Sequence, residues 1–391
     1  MFSESTSIQR LLIAKALRSF GDGYISVLLP LYLVELGFSP LQVGILATTT
    51  LIGSGLLTLA VGIHAWRFHD RGLLLVASVF MAGTGLGFFA FTNFWPLMVV
   101  AFVGTLNPSN GDVSVFLPLE HSVLAKLTGD KRRTAMFARY SLVGALLGAT
   151  GSLAVAIPPP SVIRLMFIFY AVLACAAGLV YRGLPETSSI GAPQRRAPLH
   201  SSKRKVYTLA ALFSLDAFGG GFVVQSMLAL WLHQRFDTSM ATVGVLFFWT
   251  GVLTAASYLV AVRIAGRFGL VNTMVFTHIP SSVCLILLPF APSLSYAIVL
   301  LFLRSALSQM DVPTRTSYVM AIVTPEERPA AASITAVPRS LAAAISPFLS
   351  GYLLGVSAFG WPLVVGGGVK IVYDMLLLAK FRKIRPPEEE N

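Results

Sequence analysis

Residues 182–205, RGLPETSSIGAPQRRAPLHSSKRK, are the longest polar stretch of the chain and lie halfway along its 391 residues. A helix needs about 20 mainly apolar residues to span a bilayer, and six such segments lie on each side of this stretch. The six before it are 10–35, 41–63, 72–91, 96–124, 134–157 and 162–181. The six after it are 206–232, 240–263, 271–291, 295–322, 331–356 and 362–381. The sequence therefore predicts an all-α polytopic membrane protein of twelve transmembrane helices, arranged as six-helix bundles at 1–181 and 206–391 with a cytoplasmic linker at 182–205.

Composition excludes a soluble protein. Hydrophobic residues make up 55% of the chain and charged residues only 12%, whereas about a quarter of the residues in a soluble domain are charged. The net charge of +12 does not indicate nucleic-acid binding, because the basic residues form short clusters between apolar runs. Cys175 and Cys284 both lie inside apolar runs and indicate neither a disulfide framework nor a metal site.

The distribution of lysine and arginine predicts the orientation. Alternate loops carry nearly all the basic residues, namely Arg67, Arg71, Lys126, Lys131, Arg132, Arg133, those of 182–205, Arg263, Arg267 and Arg328. Both chain ends are basic too, whereas the opposite loops contain only Arg164 and Arg235. Positive charge stays on the cytoplasmic side of a membrane. We therefore expect a multi-pass protein of the cell inner (plasma) membrane with both termini in the cytoplasm.

The two sides of the polar stretch repeat one another. An offset of 200 places Val43–Leu46 on Val243–Leu246, and one of 198 places Phe20–Tyr24 on Phe218–Phe222. Further landmarks follow in the same order at offsets of 200, 199 and 196: Arg67-Phe68 with Arg267-Phe268, Asp112-Val113 with Asp311-Val312, and Arg132 with Arg328. Matches in one order with small drifts indicate an internal duplication of the six-helix unit.

Two six-helix halves joined by a cytoplasmic linker resemble the major facilitator superfamily over the whole chain. The resemblance implies halves related by an axis along the membrane normal, with a small-molecule substrate bound between them near the midplane. It also implies a monomer that works by alternating access without a cofactor. The family's gating-loop motif is degenerate here, since Trp66 and Gly266 replace its acidic residue. The gating-loop candidates are Gly62, Arg67, Asp70, Arg71, Arg267 and Gly269.

The likeness to drug/proton antiporters within that family is partial. Arg304 in the tenth span and Ser346–Gly351 in the eleventh resemble two antiporter patterns. The fourth span lacks the corresponding arginine, and the fifth has Gly144, Gly148 and Gly151 without the expected proline. Small residues at this spacing favour close helix packing. The partial likeness favours export over import.

Charged and amide side chains inside the spans supply the candidate site, because a charge within a membrane requires a partner or an aqueous cavity. Arg18 and Asp22 share one helix face and form either a neutralising pair or a substrate or proton site. In the tenth span Asp311 is four residues from Arg315 and seven from Arg304, so we expect all three to share one helix face. The substrate-binding or ion-coupling candidates are Arg18, Asp22, Tyr24, Asn107, Asn110, Asp112, Asp216, Gln225, Arg304, Gln309, Asp311, Arg315 and Tyr318.

Other polar residues have structural interpretations. Glu120 has a functional or a gate-contact interpretation with equal weight, and the fourth span is expected to be broken at its Asn-Pro segment. The spacing of Lys370 and Asp374 predicts a structural ion pair within the twelfth span. His64, His233 and His278 have no clustered partners in the sequence and are expected to be hydrogen-bonded packing or interface residues rather than metal ligands.

These features predict a secondary active transporter for a small organic solute, coupled to protons and working as an exporter. Asp22, Asp112 or Asp311 would carry the proton, and Arg18, Arg304 or Arg315 would recognise an anionic group. Uniport and a lipid-handling (scramblase) activity are the alternatives. Neither an enzyme motif nor a Walker A sequence is found, so we expect no catalysis, cofactor or metal. The expected partners are the solute, protons and membrane lipids, without nucleic acid.

Overall fold

The computed structural model describes residues 4–64, 68–109, 114–128, 130–157, 162–185, 202–324 and 327–382. Within these ranges the chain forms fifteen α-helices. They are α1 Glu4–Glu35, α2 Pro40–His64, α3 Asp70–Ala90, α4 Phe94–Val103, α5 Phe116–Leu127, α6 Asp130–Ala154, α7 Leu165–Arg182, α8 Lys203–Gly221, α9 Gln225–Phe236, α10 Met240–Phe268, α11 Leu270–Leu287, α12 Leu294–Ser308, α13 Asp311–Ala321, α14 Arg328–Val356 and α15 Trp361–Phe381. The predicted linker at 182–205 lies mostly outside the described residues.

The helices account for all twelve predicted spans. Nine spans are single helices, and the fourth, seventh and tenth are each divided in two, as α4 and α5, α8 and α9, and α12 and α13. Seven segments of the described chain are long and apolar enough by themselves to cross a membrane. Exposed apolar side chains such as Val79, Leu179 and Val299 suit contact with lipid. The prediction of a twelve-helix membrane protein is confirmed.

The breaks have local causes. In the fourth span Gly104 leaves the helix with extended backbone angles, and Pro108 then disfavours helical geometry at Asn107. This break agrees with the prediction. The tenth span was expected to be continuous, but α12 ends at Ser308 and α13 begins at Asp311. A helix that begins at Asp311 suits the sequence, because Pro313 then lies in the first turn, where proline is tolerated.

Close contacts divide the chain into two compact units. Unit 1 comprises Met1–Pro193, Gln225–His233 and Asp237–Phe248, and unit 2 comprises Gln194–Val224, Gln234–Phe236 and Trp249–Asn391. In unit 1, α1 packs on α6 and α7, α3 on α7, and α2 on α4. In unit 2, α8 packs on α14 and α15, and α11 packs on α12, α13 and α15.

Glycines bring the main helix pairs into backbone contact. A Cβ atom at Gly23 of α1 would lie 2.0 Å from the carbonyl oxygen of Gly148 of α6, and one at Gly151 would lie 2.0 Å from that of Phe20. The predicted packing role of the fifth-span glycines is therefore confirmed at these two positions. In unit 2, a Cβ at Gly221 of α8 would lie 2.4 Å from the carbonyl oxygen of Ala343 of α14.

Candidate functional site

A buried ion pair and its hydrogen-bond partners join four helices of unit 1. Arg18 of α1 pairs with Glu120 of α5, and their side chains are 4% and 0% exposed. Glu120 also accepts hydrogen bonds from the Tyr181 hydroxyl at 2.6 Å and from the Tyr140 hydroxyl. The Arg18 Nε donates to Tyr181 at 3.0 Å, and the guanidinium lies 4.0 Å from the Phe116 ring centroid. Glu120 is thus a central acceptor within unit 1.

Asp22 is therefore not the partner of Arg18, although the two are four residues apart on α1. Its carboxylate accepts a hydrogen bond from the Tyr170 hydroxyl at 3.4 Å, and the Asn107 side chain also faces it. Asp22 is partly exposed and forms no ion pair with any residue in the described ranges. Of the two interpretations of the Arg18–Asp22 spacing, the neutralising pair is wrong.

A chain of polar contacts runs beside Asp22. Gln225 Nε2 of α9 donates to the Ser152 hydroxyl at 3.1 Å, and that hydroxyl donates in turn to the carbonyl oxygen of Gly23 at 3.1 Å. Asn107 Oδ1 accepts from the Ser109 hydroxyl at 2.7 Å, which holds the turn after α4. We call Asp22, Asn107, Ser152, Tyr170 and Gln225 the Asp22 site.

Three candidates lie apart from this site or beyond the described chain. Tyr24 is fully buried, and its hydroxyl donates to the Met166 carbonyl oxygen at 3.0 Å, so it packs within unit 1. Asn110 and Asp112 lie outside the described residues.

A larger group of charges occupies unit 2. Asp216 of α8 accepts from Arg315 Nη2 of α13 at 3.0 Å and from Lys370 Nζ of α15 at 2.8 Å. Arg315 also pairs with Asp311, one turn earlier in α13, as the spacing predicts. The guanidinium of Arg315 lies 5.2 Å from the Phe213 ring centroid. A charged network thus joins α8, α13 and α15.

His278 of α11 extends this network, which corrects two predictions. Its Nδ1 lies 2.9 Å from Asp374 Oδ2 of α15, and its Nε2 lies 3.4 Å from Lys370 Nζ and 3.7 Å from Asp216 Oδ1. Lys370 therefore pairs with Asp216 rather than with Asp374, because α8 and α11 supply closer partners than their own helix. His278 is hydrogen-bonded, as expected, but it is clustered with three charged side chains, which the sequence did not predict. We call Asp216, His278, Asp311, Arg315, Lys370 and Asp374 the Asp216 network.

The remaining tenth-span candidates are Arg304, Gln309 and Tyr318. Arg304 lies on α12, so the break at Gln309 and Met310 separates it from Asp311 and removes the expected continuous face. Its guanidinium forms no ion pair within the described part of the chain. Tyr318 is fully buried and packs edge-on against Phe381, with ring centroids 6.1 Å apart.

The gating-loop candidates form local contacts. Asp70 begins α3 and pairs with Lys126, in the last turn of α5, at 2.5 Å. Arg71 Nη1 donates to the Leu184 carbonyl oxygen at 3.4 Å. Gly269 joins α10 to α11 with a φ of +85°, a conformation that favours glycine. Arg267 lies beside the Phe268 ring, at 5.6 Å from its centroid.

The last two gating-loop candidates are Gly62 and Arg67. Gly62 lies in α2, and Arg67 lies outside the described residues.

The residue spacings did not predict most of the partners in the Arg18–Glu120 pair and the Asp216 network. The internal repeat does indicate that Arg18 and Asp216 occupy equivalent positions. The offset of 198 that aligns Phe20–Tyr24 with Phe218–Phe222 places Arg18 on Asp216. Each of these residues binds an opposite charge on the second half of a broken span, Glu120 on α5 and Arg315 on α13. The two repeats thus contain equivalent ion pairs with reversed polarity.

Comparisons with known proteins agree with this architecture. A curated relative, "Uncharacterized membrane protein YJR124C" of Saccharomyces cerevisiae, is 23% identical over 96% of this chain and 94% of its own length. A solved mutant form of the nucleoside transporter NupG superposes with a TM-score of 0.77 at 14% identity, covering 96% of this chain and all of NupG. The xylose transporter XylE of E. coli, in an inward open conformation, gives 0.74 at 15% identity over 98% of both chains. The human organic anion transporter MFSD10 gives 0.69 at 15% identity over 96% of this chain and all of MFSD10.

The sequence model of the Major Facilitator Superfamily matches the chain twice, at residues 11–223 and 209–391. Together these matches cover nearly the whole sequence, and the solved neighbours share its fold. The chain therefore belongs to the Major Facilitator Superfamily of membrane transporters.

Proposed function

We propose that this chain is a proton-coupled secondary active transporter that moves a small organic solute across the inner membrane by alternating access, with both termini in the cytoplasm. The observation that carries the proposal is the partly exposed carboxylate of Asp22 within a membrane-spanning helix, which forms no ion pair with the described residues. A charge in that position is expensive unless water, a proton or a ligand compensates it. A proton or a ligand at Asp22 is what a coupled transporter requires.

The Asp22 site supports a solute that carries hydrogen-bond donors. The site contains acceptor oxygens and no fixed positive charge. The oxygens belong to the Asp22 carboxylate, the Asn107 and Gln225 amides, and the Ser152 and Tyr170 hydroxyls. Arg18 and Arg315, which the sequence suggested as anion-binding groups, are both held by carboxylates. Among the suggested arginines, only Arg304 remains for an anionic group. The neighbours NupG, XylE and MFSD10 share only the fold at 14–15% identity, so the substrate class rests on these side chains.

The first experiment tests transport and its coupling. Purified protein in liposomes is screened with polar organic solutes under an imposed pH gradient of either sign, and the sign that drives accumulation gives the direction. We expect a solute whose flux follows the gradient, and export as the direction. Asp22→Asn should abolish the gradient-driven flux, whereas Asp237→Asn, at an exposed loop position, should leave it unchanged.

Three results would overturn this proposal. Solute flux that is indifferent to the pH gradient would indicate uniport. Lipid movement across the bilayer without solute flux would indicate the lipid-handling alternative. Full gradient-driven flux in Asp22→Asn would remove Asp22 from the coupling mechanism.

A further inference from the structure

The Asp216 network is short of one positive charge. It contains the carboxylates of Asp216, Asp311 and Asp374 and the permanent cations Arg315 and Lys370. With the His278 imidazole neutral the group carries a net charge of −1, and with the imidazole protonated it is neutral. Because an uncompensated charge in a protein interior is destabilising, this composition favours binding of one proton.

The equivalent group in unit 1 has no such deficit. Arg18 and Glu120 carry one charge of each sign, and the groups hydrogen-bonded to them are the tyrosine hydroxyls of Tyr140 and Tyr181. Tyrosine keeps its proton at neutral pH. The two groups therefore differ in how a histidine meets them, since His278 Nδ1 lies 2.9 Å from a carboxylate of the Asp216 network, whereas the ring of His121 packs against the Tyr140 ring at 5.1 Å between centroids.

We propose that the Asp216 network is a proton-binding site, in which the His278–Asp374 pair between α11 and α15 holds the proton that drives transport. Its role in transport rests on the proposed function, whereas proton binding does not. This site lies on the ninth and twelfth spans and is distinct from the Asp22 site of unit 1.

The geometry around His278 shows how proton binding can change the network. In the neutral imidazole, an Nδ1–H donates to Asp374 at 2.9 Å and the Nε2 lone pair accepts from Lys370 Nζ at 3.4 Å. Once Nε2 is also protonated, it becomes a donor and can no longer accept from the Lys370 ammonium. The new Nε2–H has Asp216 Oδ1 as its acceptor, 3.7 Å away. Proton binding thus makes His278 and Lys370 compete for Asp216.

Charged and aromatic side chains from three helices surround His278. From α15, His278 is faced by Asp374, Lys370 and the Tyr373 ring. From α8 it is faced by Asp216. Arg315 of α13 is paired with Asp216, and Asp311 is paired with Arg315. Lys370 is 13% exposed, compared with 4% for His278 and 0% for Asp374. The Tyr373 hydroxyl and Arg315 Nε have no hydrogen-bond partner within the described residues. Lys370 is therefore the most exposed member of the network, and these two atoms can bond to groups that change position on proton binding.

The test counts protons on the purified protein in detergent. Weakly buffered samples are titrated between about pH 5 and 8, the range in which histidine and few other side chains change charge. We expect His278→Gln to bind about one proton fewer than the wild type. Asp374→Asn should lose the same proton although it keeps every histidine, because removing one carboxylate already neutralises the network. Asp237→Asn serves as the matched control and should match the wild type.

A third variant separates charge balance from structural damage. Lys370→Met removes a cation and leaves the network one charge more negative, so this variant should bind at least as many protons as the wild type. Damage to the fold would instead alter all network variants in the same way, and size-exclusion profiles identify it. Proton counts equal to the wild type in both His278→Gln and Asp374→Asn would overturn the inference.

The transport assay distinguishes this failure from failure of the proposed function. Unchanged proton counts together with gradient-driven flux would refute the proton site and leave the transporter coupled through another group. Loss of the proton in His278→Gln without loss of gradient-driven flux would refute its role in coupling.

Discussion

Glu120 shows how one side chain can hold several membrane helices together. It is fully buried, it pairs with Arg18 of α1, and it accepts hydrogen bonds from Tyr140 of α6 and Tyr181 of α7. Removing one member of a buried ion pair leaves the other charge uncompensated, which typically costs about 3–5 kcal/mol. We therefore expect Glu120→Gln to lower the melting temperature in detergent by many degrees. Thermal unfolding followed by tryptophan fluorescence or size exclusion measures it.

Two variants define the interpretation of that result. Glu35→Gln, at an exposed position on the same α1 helix as Arg18, should melt as the wild type does. The double variant Arg18→Met/Glu120→Leu should be more stable than Glu120→Gln alone, because it removes both charges together. A Glu120→Gln protein with wild-type stability would show that the ion pair contributes nothing measurable.

Residue spacing predicted only some of these contacts. Three pairs in the membrane-spanning helices are four residues apart, and of these only Asp311 and Arg315 form an ion pair with each other. Arg18 binds Glu120 instead of Asp22, and Lys370 binds Asp216 instead of Asp374. Spacing within a helix establishes a shared face, but the partner depends on which side chains neighbouring helices present to that face.

At the scale of the helical elements, α2 and α4 offer a test of backbone packing. A Cβ at Gly53 would lie 1.8 Å from the carbonyl oxygen of Phe102, whereas a Cβ at Gly55 would meet no atom within 4 Å. Gly53→Ala must therefore separate the helices, and we expect it to be destabilised by about 1–3 kcal/mol. Melting temperature in detergent measures the effect.

Gly55→Ala is the matched control, two residues away on the same helix. Alanine favours a helix interior over glycine by roughly 0.5–1 kcal/mol, so this variant should be as stable as the wild type or more so. Equal melting temperatures for the two variants would show that α2 and α4 are not in backbone contact at Gly53.

The breaks in the helices were only partly predictable. The fourth span contains an Asn-Pro sequence at Asn107 and Pro108, which indicates a break from the sequence alone. The tenth span breaks at Gln309 and Met310, neither of which is a strong helix breaker. The local cause is Pro313, because a continuous helix would need its missing N–H to bond the carbonyl oxygen of Gln309. Proline is also tolerated inside membrane helices, so this signal alone does not decide between a kink and a break.

At the scale of the whole molecule, duplication explains why equivalent charges differ in sign. The repeat offset places Arg18 on Asp216, and each has its partner on the second half of a broken span. An ion pair stays neutral if both of its members change sign together, so duplicated halves can diverge in this way. In unit 2 the group also contains His278, Lys370 and Asp374.

The orientation of the chain is the remaining prediction, and it is testable within unit 2 alone. The basic-loop pattern predicts that Arg267, at the end of α10, faces the cytoplasm, and that Ser293, before α12, faces the outside. Both residues are exposed. With Cys175 and Cys284 replaced by alanine, we expect a membrane-impermeant thiol reagent to label Ser293→Cys in intact cells. Arg267→Cys should be labelled only after the cells are opened. The reverse pattern would place both termini outside the cytoplasm, and would show that the clustered lysines and arginines do not set the topology of this chain.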